Sequence, residues 1–179
     1  DKFALLGELL AEEGLATAPA AAIVPGERPA SVPLSFAQEL VWLLDRANPG
    51  MTAYNSGLAR RLRGPLDLAA VQSALDALAA RHEILRTTFV ADGDEGRQVV
   101  QPQVPVILDQ IDLSHLAPAD REAEARSRAL AVIRMPFDLA REPAFRAAII
   151  RLGADDHVLE FGLHHIAIGG WSRGVVFRE

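Results

Sequence analysis

Asp67 followed by Leu68, Val71, Leu75 and Leu78 is the feature that most constrains this chain. A carboxylate just ahead of a helix satisfies its free amides, and apolar residues three or four apart share one helix face. That stripe requires a flat apolar partner. A sheet is the expected partner, and residues 145–152 and 157–166 read as two strands joined over 153–156, most economically as a hairpin. Residues 57–63 alternate Leu58 and Leu62 with Arg60 as a half-buried strand does, and a further strand is expected to carry Ile84, Leu85 and Phe89. Ser35 can cap a helix bearing Ala37, Leu40, Val41 and Leu44, which ends before the Asn48-Pro49-Gly50 turn signal. Residues 92–96 read as a turn, 98–108 as an extended stretch broken by Pro102 and Pro105, and Pro118 as the start of a third helix with a solvated Arg/Glu face. Helices interspersed with strands that pair in hairpins predict a mixed two-layer α/β sandwich on a largely antiparallel sheet, rather than a doubly wound fold.

The 179 residues are enough for one sizeable core. Half of them are hydrophobic and 23% are charged, so the chain is expected to fold. A net charge of -6 without a Lys/Arg block argues against nucleic acid and anionic membrane as partners. With no cysteine there is no disulfide framework or thiolate metal site, no run of about 18 apolar residues could span a bilayer, and the start lacks signal-peptide order, so a cytoplasmic protein is expected. Residues 1–15 read as a short amphipathic helix, either a tail of a preceding domain or a docking element. Residues 16–33 are Ala/Pro-rich, with Pro19, Pro25, Pro29 and Pro33 denying helix and sheet pairing, and read as a linker; residues 34–179 read as one domain.

His164 and His165 end an apolar strand and run into Gly169-Gly170-Trp171-Ser172. Strand side chains alternate, so His165 is expected with Leu159, Phe161 and Leu163, and His164 with Val158 and Glu160. The two imidazoles therefore cannot share one task. A neutral imidazole in an apolar cleft could take a proton from an ammonium or hydroxyl nucleophile, whereas the plain structural reading is a pair of hydrogen-bonded core histidines. Zinc would need further ligands from His82, His115, His157 or carboxylates, and no metal is expected. Gly170-Trp171-Ser172-Arg173-Gly174 matches a G-x-S-x-G nucleophile elbow, but an acid and a histidine would have to follow it and only five residues do; Ser172 serves equally as a helix N-cap. The stretch Arg81-His82-Glu83-Ile84-Leu85-Arg86-Thr87-Thr88-Phe89 alone reads as a helix end with solvated charges.

Three stretches together resemble the condensation domains of non-ribosomal peptide synthetases. Ser35-Phe36-Ala37-Gln38 with Trp42 and Leu44 is similar to the family's opening Ser-x-Ala-Gln motif, departing at Leu40 where arginine is usual. Residues 81–89 match Arg-His-Glu-x-Leu-Arg-Thr-x-Phe at every specified position, and residues 164–170 resemble His-His-x-x-x-Asp-Gly with Gly169 in place of aspartate. The resemblance covers residues 34–179 and implies the first of two chloramphenicol-acetyltransferase-like lobes around a tunnel. Donor and acceptor peptidyl carrier proteins would insert phosphopantetheine arms there, with adjacent synthetase domains and the second lobe as further partners and no cofactor bound by the lobe itself. It further implies that His165 positions or deprotonates the acceptor amine, that Gly170 places backbone near the reacting carbonyl, and that His164 belongs to the same catalytic group. Gly169, Arg86, Trp171 and Ser172 would support the site, with loss of the aspartate leaving Arg86, or an arginine of the second lobe, unpaired at a cost of roughly 3 to 5 kcal/mol. His164 at the first motif position argues against the heterocyclising branch. The lobe alone is expected to be inactive, and the end at Glu179, inside a helix, to expose apolar surface that favours self-association. A degenerate carrier-binding scaffold is the non-catalytic alternative, and a serine hydrolase using Ser172 the remaining one.

Overall fold

In the computed structural model, residue 27, residues 29–176 and residue 178 are described. The helix expected over 1–15 and most of the expected linker lie outside them. The linker's last two residues are strand β1 (Val32–Pro33), paired antiparallel with β4 (Glu95–Val100). Pro33 can sit there because it occupies an edge, where its missing N–H forfeits no interior ladder bond. Helix α1 (Phe36–Ala47) follows. Ser35 caps it as expected and Gln38 answers from the third position, each side chain bonding the other's backbone amide. Trp42 is its buried residue.

Strand β2 (Asn55–Arg63) leads to α2 (Leu68–Arg81), whose first amides donate to the Asp67 carboxylate at 2.9 and 3.2 Å. Beyond it the expected strand is shorter than the sequence suggested. Residues Glu83–Arg86 form a 3-10 turn that buries Leu85, and β3 runs only over Thr87–Asp92. Glu83 accepts the Thr87 hydroxyl on its carbonyl at 2.8 Å, a local bond that favours the turn over extension. The turn between β3 and β4 narrows to Gly93-Asp94, since Asp92 and Glu95 still pair. Strand β5 (Leu108–Asp112), α3 (Pro118–Arg134), β6 (Phe145–Gly153), β7 (Asp156–His164) and α4 (Gly170–Val176) complete the described chain.

Two sheets result, one of order β1-β4-β3 and one of order β2-β7-β6-β5. In the larger, β7 pairs antiparallel with both β2 and β6, and only β5 and β6 run parallel, a pairing that needs the crossover α3 provides. The class is the expected mixed α/β sandwich on a largely antiparallel sheet, and helices cover both faces of the larger sheet, adding a layer to the two expected. On one face Leu75 and Ala79 of α2 pack with Phe145, Ala147, Phe161 and Leu163. On the other, Ala125 of α3 packs with Ile150, Leu152 and Leu113. Gly57 and Gly162 are cross-strand neighbours under α3, where an added Cβ would overlap Ile133 or lie 2.8 Å from Val132, so side chains there would push the helix off. A third cluster joins Trp42, Phe89, Phe137, Leu139, Ala144 and Ile166, fastening the smaller sheet and α1 to the end of β7.

Candidate active site

The central strand β7 stops at His164, one residue before the second histidine. A tight turn follows. The His165 amide donates to the Tyr54 carbonyl at 2.9 Å, and the Ala167 and Ile168 amides return to the His164 carbonyl at 3.0 and 3.3 Å. The His164 imidazole closes the same turn, its Nδ1 accepting the Ile166 amide at 3.2 Å. With Nδ1 an acceptor, the ring carries its proton on Nε2. Only 1% of His164 is exposed, and its ring meets Phe137 edge-on at 5.9 Å and Tyr54 at 6.3 Å. Burial, with a smaller contribution from His165, lowers its pKa to about 4, so it is neutral near pH 7. His164 is a buried strut of the turn.

His165 is exposed, in a cleft of about 570 Å³. Ser35, Ala37, Gln38 and Val41 line it from α1, Ala53 and Tyr54 from the segment before β2, and Ile166, Ala167 and Gly169 from the turn. The two histidines thus separate, His164 on the strand face expected of it and His165 not among Leu159, Phe161 and Leu163 but in a cleft, because the strand ends before it and the turn redirects its side chain. The core-pair reading holds for His164 alone. The lining is mostly small, which leaves room beside the imidazole for an extended chain. A groove of about 620 Å³ between Trp42, Phe89 and residues 136–140 contains none of the candidate residues.

Gly169 is exposed, and a Cβ added there would meet nothing within 4 Å. Gly170 and Trp171 lie in the first turn of α4. Ser172 lies inside that helix as its third residue, neither capping it nor standing at a strand-to-helix elbow; it is exposed and lines a small pocket that also includes His82 and Ile168. Arg86 bonds the Gln101 carbonyl and pairs with Glu83 at 3.1 Å. Its described partners are in the 3-10 turn and after β4, and none is in the His165 turn. Among the described residues no group of three or more His, Cys, Asp or Glu could hold a metal ion, and no helix is long and apolar enough to cross a membrane.

Two contributors escaped sequence reasoning. Gln38 donates from Nε2 to the Ile166 carbonyl at 3.3 Å, reaching into the turn, and the Ser35-x-x-Gln38 spacing of a capping box was the available signal for its orientation. Glu160 is 1% exposed on the α3 face of β7, its Oε2 without a hydrogen-bond partner, and burial raises its pKa to about 7. Nothing in an alternating strand pattern marks a carboxyl for that fate.

The chain is a mixed α/β lobe whose central strand leads into one buried and one cleft-facing histidine. The Condensation domain family model matches residues 29–179, and the chain belongs to the condensation-domain family. It is similar to a linear gramicidin synthase of Brevibacillus parabrevis, 42% identical over 157 residues that make up 88% of this chain and 2% of that protein. Phosphinothricin tripeptide synthetase PhsC of Streptomyces viridochromogenes is 39% identical over 168 residues, 89% of this chain and 16% of that one. Among solved structures, the first condensation domain of the calcium-dependent antibiotic synthetase, in complex with a substrate analogue, superposes with a TM-score of 0.74 at 30% identity, covering 83% of this chain and 36% of that one. The X-domain in complex with OxyB from teicoplanin biosynthesis superposes with a TM-score of 0.76 at 35% identity, covering 86% and 32%. The chain therefore spans a small part of the synthetases it matches and about a third of the solved chains.

Proposed function

We propose that the chain supplies the His165 side of an amide-forming site in a cytoplasmic peptide synthetase. The acceptor amine attacks the carbonyl carbon of a donor acyl thioester, the carbon–sulfur bond breaks, the thiolate leaves, and the proton lost by the nitrogen passes to His165. The observation that carries this reading is the split of the pair: His164 is buried, neutral and spent on the turn, while His165 projects into the cleft from a backbone bonded to Tyr54. Thioesters are already activated, so holding the two reactants together can supply much of the rate, up to roughly 7 to 11 kcal/mol, and the base need supply only part. Phosphopantetheine arms supply the thioester and carry the amine, delivered by donor and acceptor carrier proteins, with a second lobe closing the cleft opposite His165. Phe36, Leu40 and Leu43 lie exposed together on the face of α1 turned away from its cleft-lining residues Ala37, Gln38 and Val41, an apolar surface suited to a protein partner. Gly170, which opens α4 just after the turn, contributes backbone near the reacting carbonyl in this reading, with Gly169 and Trp171 as supports of the site.

The test is dipeptide formation on loaded carrier proteins, followed by mass spectrometry, in a synthetase carrying the complete domain. His165→Ala is expected to lower product formation about 100-fold, in line with the usual contribution of a positioned base. Undiminished product would remove His165 from the chemistry. No product from the unsubstituted enzyme or from Gly169→Asp, with carriers verified as loaded, would favour a carrier-binding scaffold.

A further inference from the structure

We propose that Gln38 is a positioning residue for the His165 turn, holding the Ile166 carbonyl to helix α1. This rests on the reading of His165 as the group that accepts the amine proton. The two ends of one side-chain amide do different work. Gln38 Oε1 accepts the Ser35 amide at 2.9 Å and so completes the helix cap, whereas Nε2 donates to the Ile166 carbonyl at 3.3 Å and to Gln98 Oε1 at 3.2 Å. Gln98 in turn donates from Nε2 to the Pro33 carbonyl at 3.1 Å. The chain of bonds Pro33–Gln98–Gln38–Ile166 therefore joins the segment entering the lobe, the smaller sheet, α1 and the residue next to His165.

The other bonds of the turn leave this position to Gln38. His165 is fixed through its own amide, and Ala167 and Ile168 through theirs, all on the β2 and β7 side. The Ile166 side chain is buried in the Trp42 cluster while its carbonyl faces the amide of Gln38, so the peptide between Ile166 and Ala167 is held from both directions. Only an uncharged carboxamide meets the demand at this point, since it must accept from Ser35 and donate to two oxygens at once. An error of about 1 Å in the placement of a reacting group can cost on the order of 100-fold in rate, so a tether one residue from the base acts on turnover without touching substrate.

Gln38→Glu separates the two tasks, because a carboxylate keeps the acceptor for the Ser35 amide and a favourable charge at the helix start but has no proton for Ile166. Ser35→Ala makes the converse cut. Hydrogen exchange of this chain by NMR is expected to show Q38E with α1 amides protected as in the parent and Ala167 and Ile168 exchanging about tenfold faster, and S35A with the opposite pattern. In a synthetase with the complete domain, Q38E is expected to lower kcat about tenfold with KM for either carrier-bound substrate within twofold. Unchanged exchange at Ala167 and Ile168 overturns the tether, and a loosened turn with unchanged kcat overturns the positioning role. Should Q38E not fold, Gln98→Leu removes the second acceptor that aligns the Gln38 amide and is expected to speed exchange at the same two amides about threefold; no change there overturns the proposal. An unsubstituted enzyme that forms no product sinks the amide-forming reading instead, and the exchange pattern still decides the tether.

Discussion

Strand β7 divides its side chains between two environments that differ in kind. On the α2 side, beyond the buried His157 near the start of the strand, it presents Leu159, Phe161 and Leu163, apolar residues packed on the Leu75–Ala79 stripe. Toward α3 it presents Val158, Glu160, Gly162 and His164, where two titratable groups are each 1% exposed and a glycine admits the helix. Leu159, Phe161 and Leu163 stabilise by removing apolar surface from water, which does not depend on pH. The second face buries two groups, Glu160 and His164, whose burial opposes their charged forms, so its contribution changes with pH. The strand that delivers the histidine pair is thus anchored by one face and made conditional by the other.

The largest effect is expected from the anchoring face. Leu163 is fully buried, and Leu163→Ala is expected to cost about 3 to 4 kcal/mol in urea unfolding, by lost transfer energy and an uncollapsed cavity. The loss should be equal at pH 5 and pH 8. A cost that varied by more than about 1 kcal/mol between them would break the comparison.

Glu160→Gln tests the conditional face. Its folded pKa, about 7, lies above the ordinary 4.5, so the folded chain holds a proton that the unfolded chain has released; stability is retained below pH 4.5 and lost as pH rises through 7. His164 works in the other direction. Its folded pKa, about 4, lies below the ordinary 6.5, so its stabilisation is present above pH 6.5 and lost as pH falls toward 4. Across the overlap the two slopes oppose each other and the parent is expected to show little net dependence from this face. Removing the carboxyl leaves the His164 slope alone. E160Q is therefore expected to gain stability relative to the parent between pH 4.5 and pH 8, by about 2 kcal/mol after allowance for solvent screening. Parallel stability curves for the two proteins would show that Glu160 does not titrate in this window.

The same division explains what could be read from the sequence. Periodicity reports which residues share a face: it put Leu75 and Leu78 on one side of their helix, Phe161 and Leu163 on one side of their strand, and His164 with Val158 and Glu160. It does not report what lies opposite a face, so Glu160 read as an ordinary strand residue because α3, which buries it, is remote in sequence. Local chemistry located both helix caps, at Ser35 and Asp67, since a cap is made within three residues. It missed the turn at Glu83–Arg86, where Ile84 and Leu85 resemble a strand and the Thr87 bond back to Glu83 decides otherwise. The cleft itself was legible only through the resemblance, because Gln38, Tyr54 and His165 are brought together by tertiary contacts that no spacing announces.

Gly169 belongs to neither face, and the smallest effect is expected there. It follows the end of β7, is exposed, has no left-handed backbone and faces open space where a Cβ would go. Gly169→Asp therefore meets no steric objection, and a residue with fewer unfolded conformations than glycine contributes roughly 0.4 to 1 kcal/mol through the unfolded chain. Arg86, one of the two arginines that loss of an aspartate was expected to leave unpaired, the other being one of the second lobe, is held by Glu83 and Gln101. The substitution is therefore expected to raise stability by about 0.5 kcal/mol, equally at pH 5 and pH 8, as read from urea midpoints. A gain of about 3 kcal/mol or more would mean that an unpaired cation waits beside the turn, and the loop would then join the conditional face of β7 as a charge-dependent element.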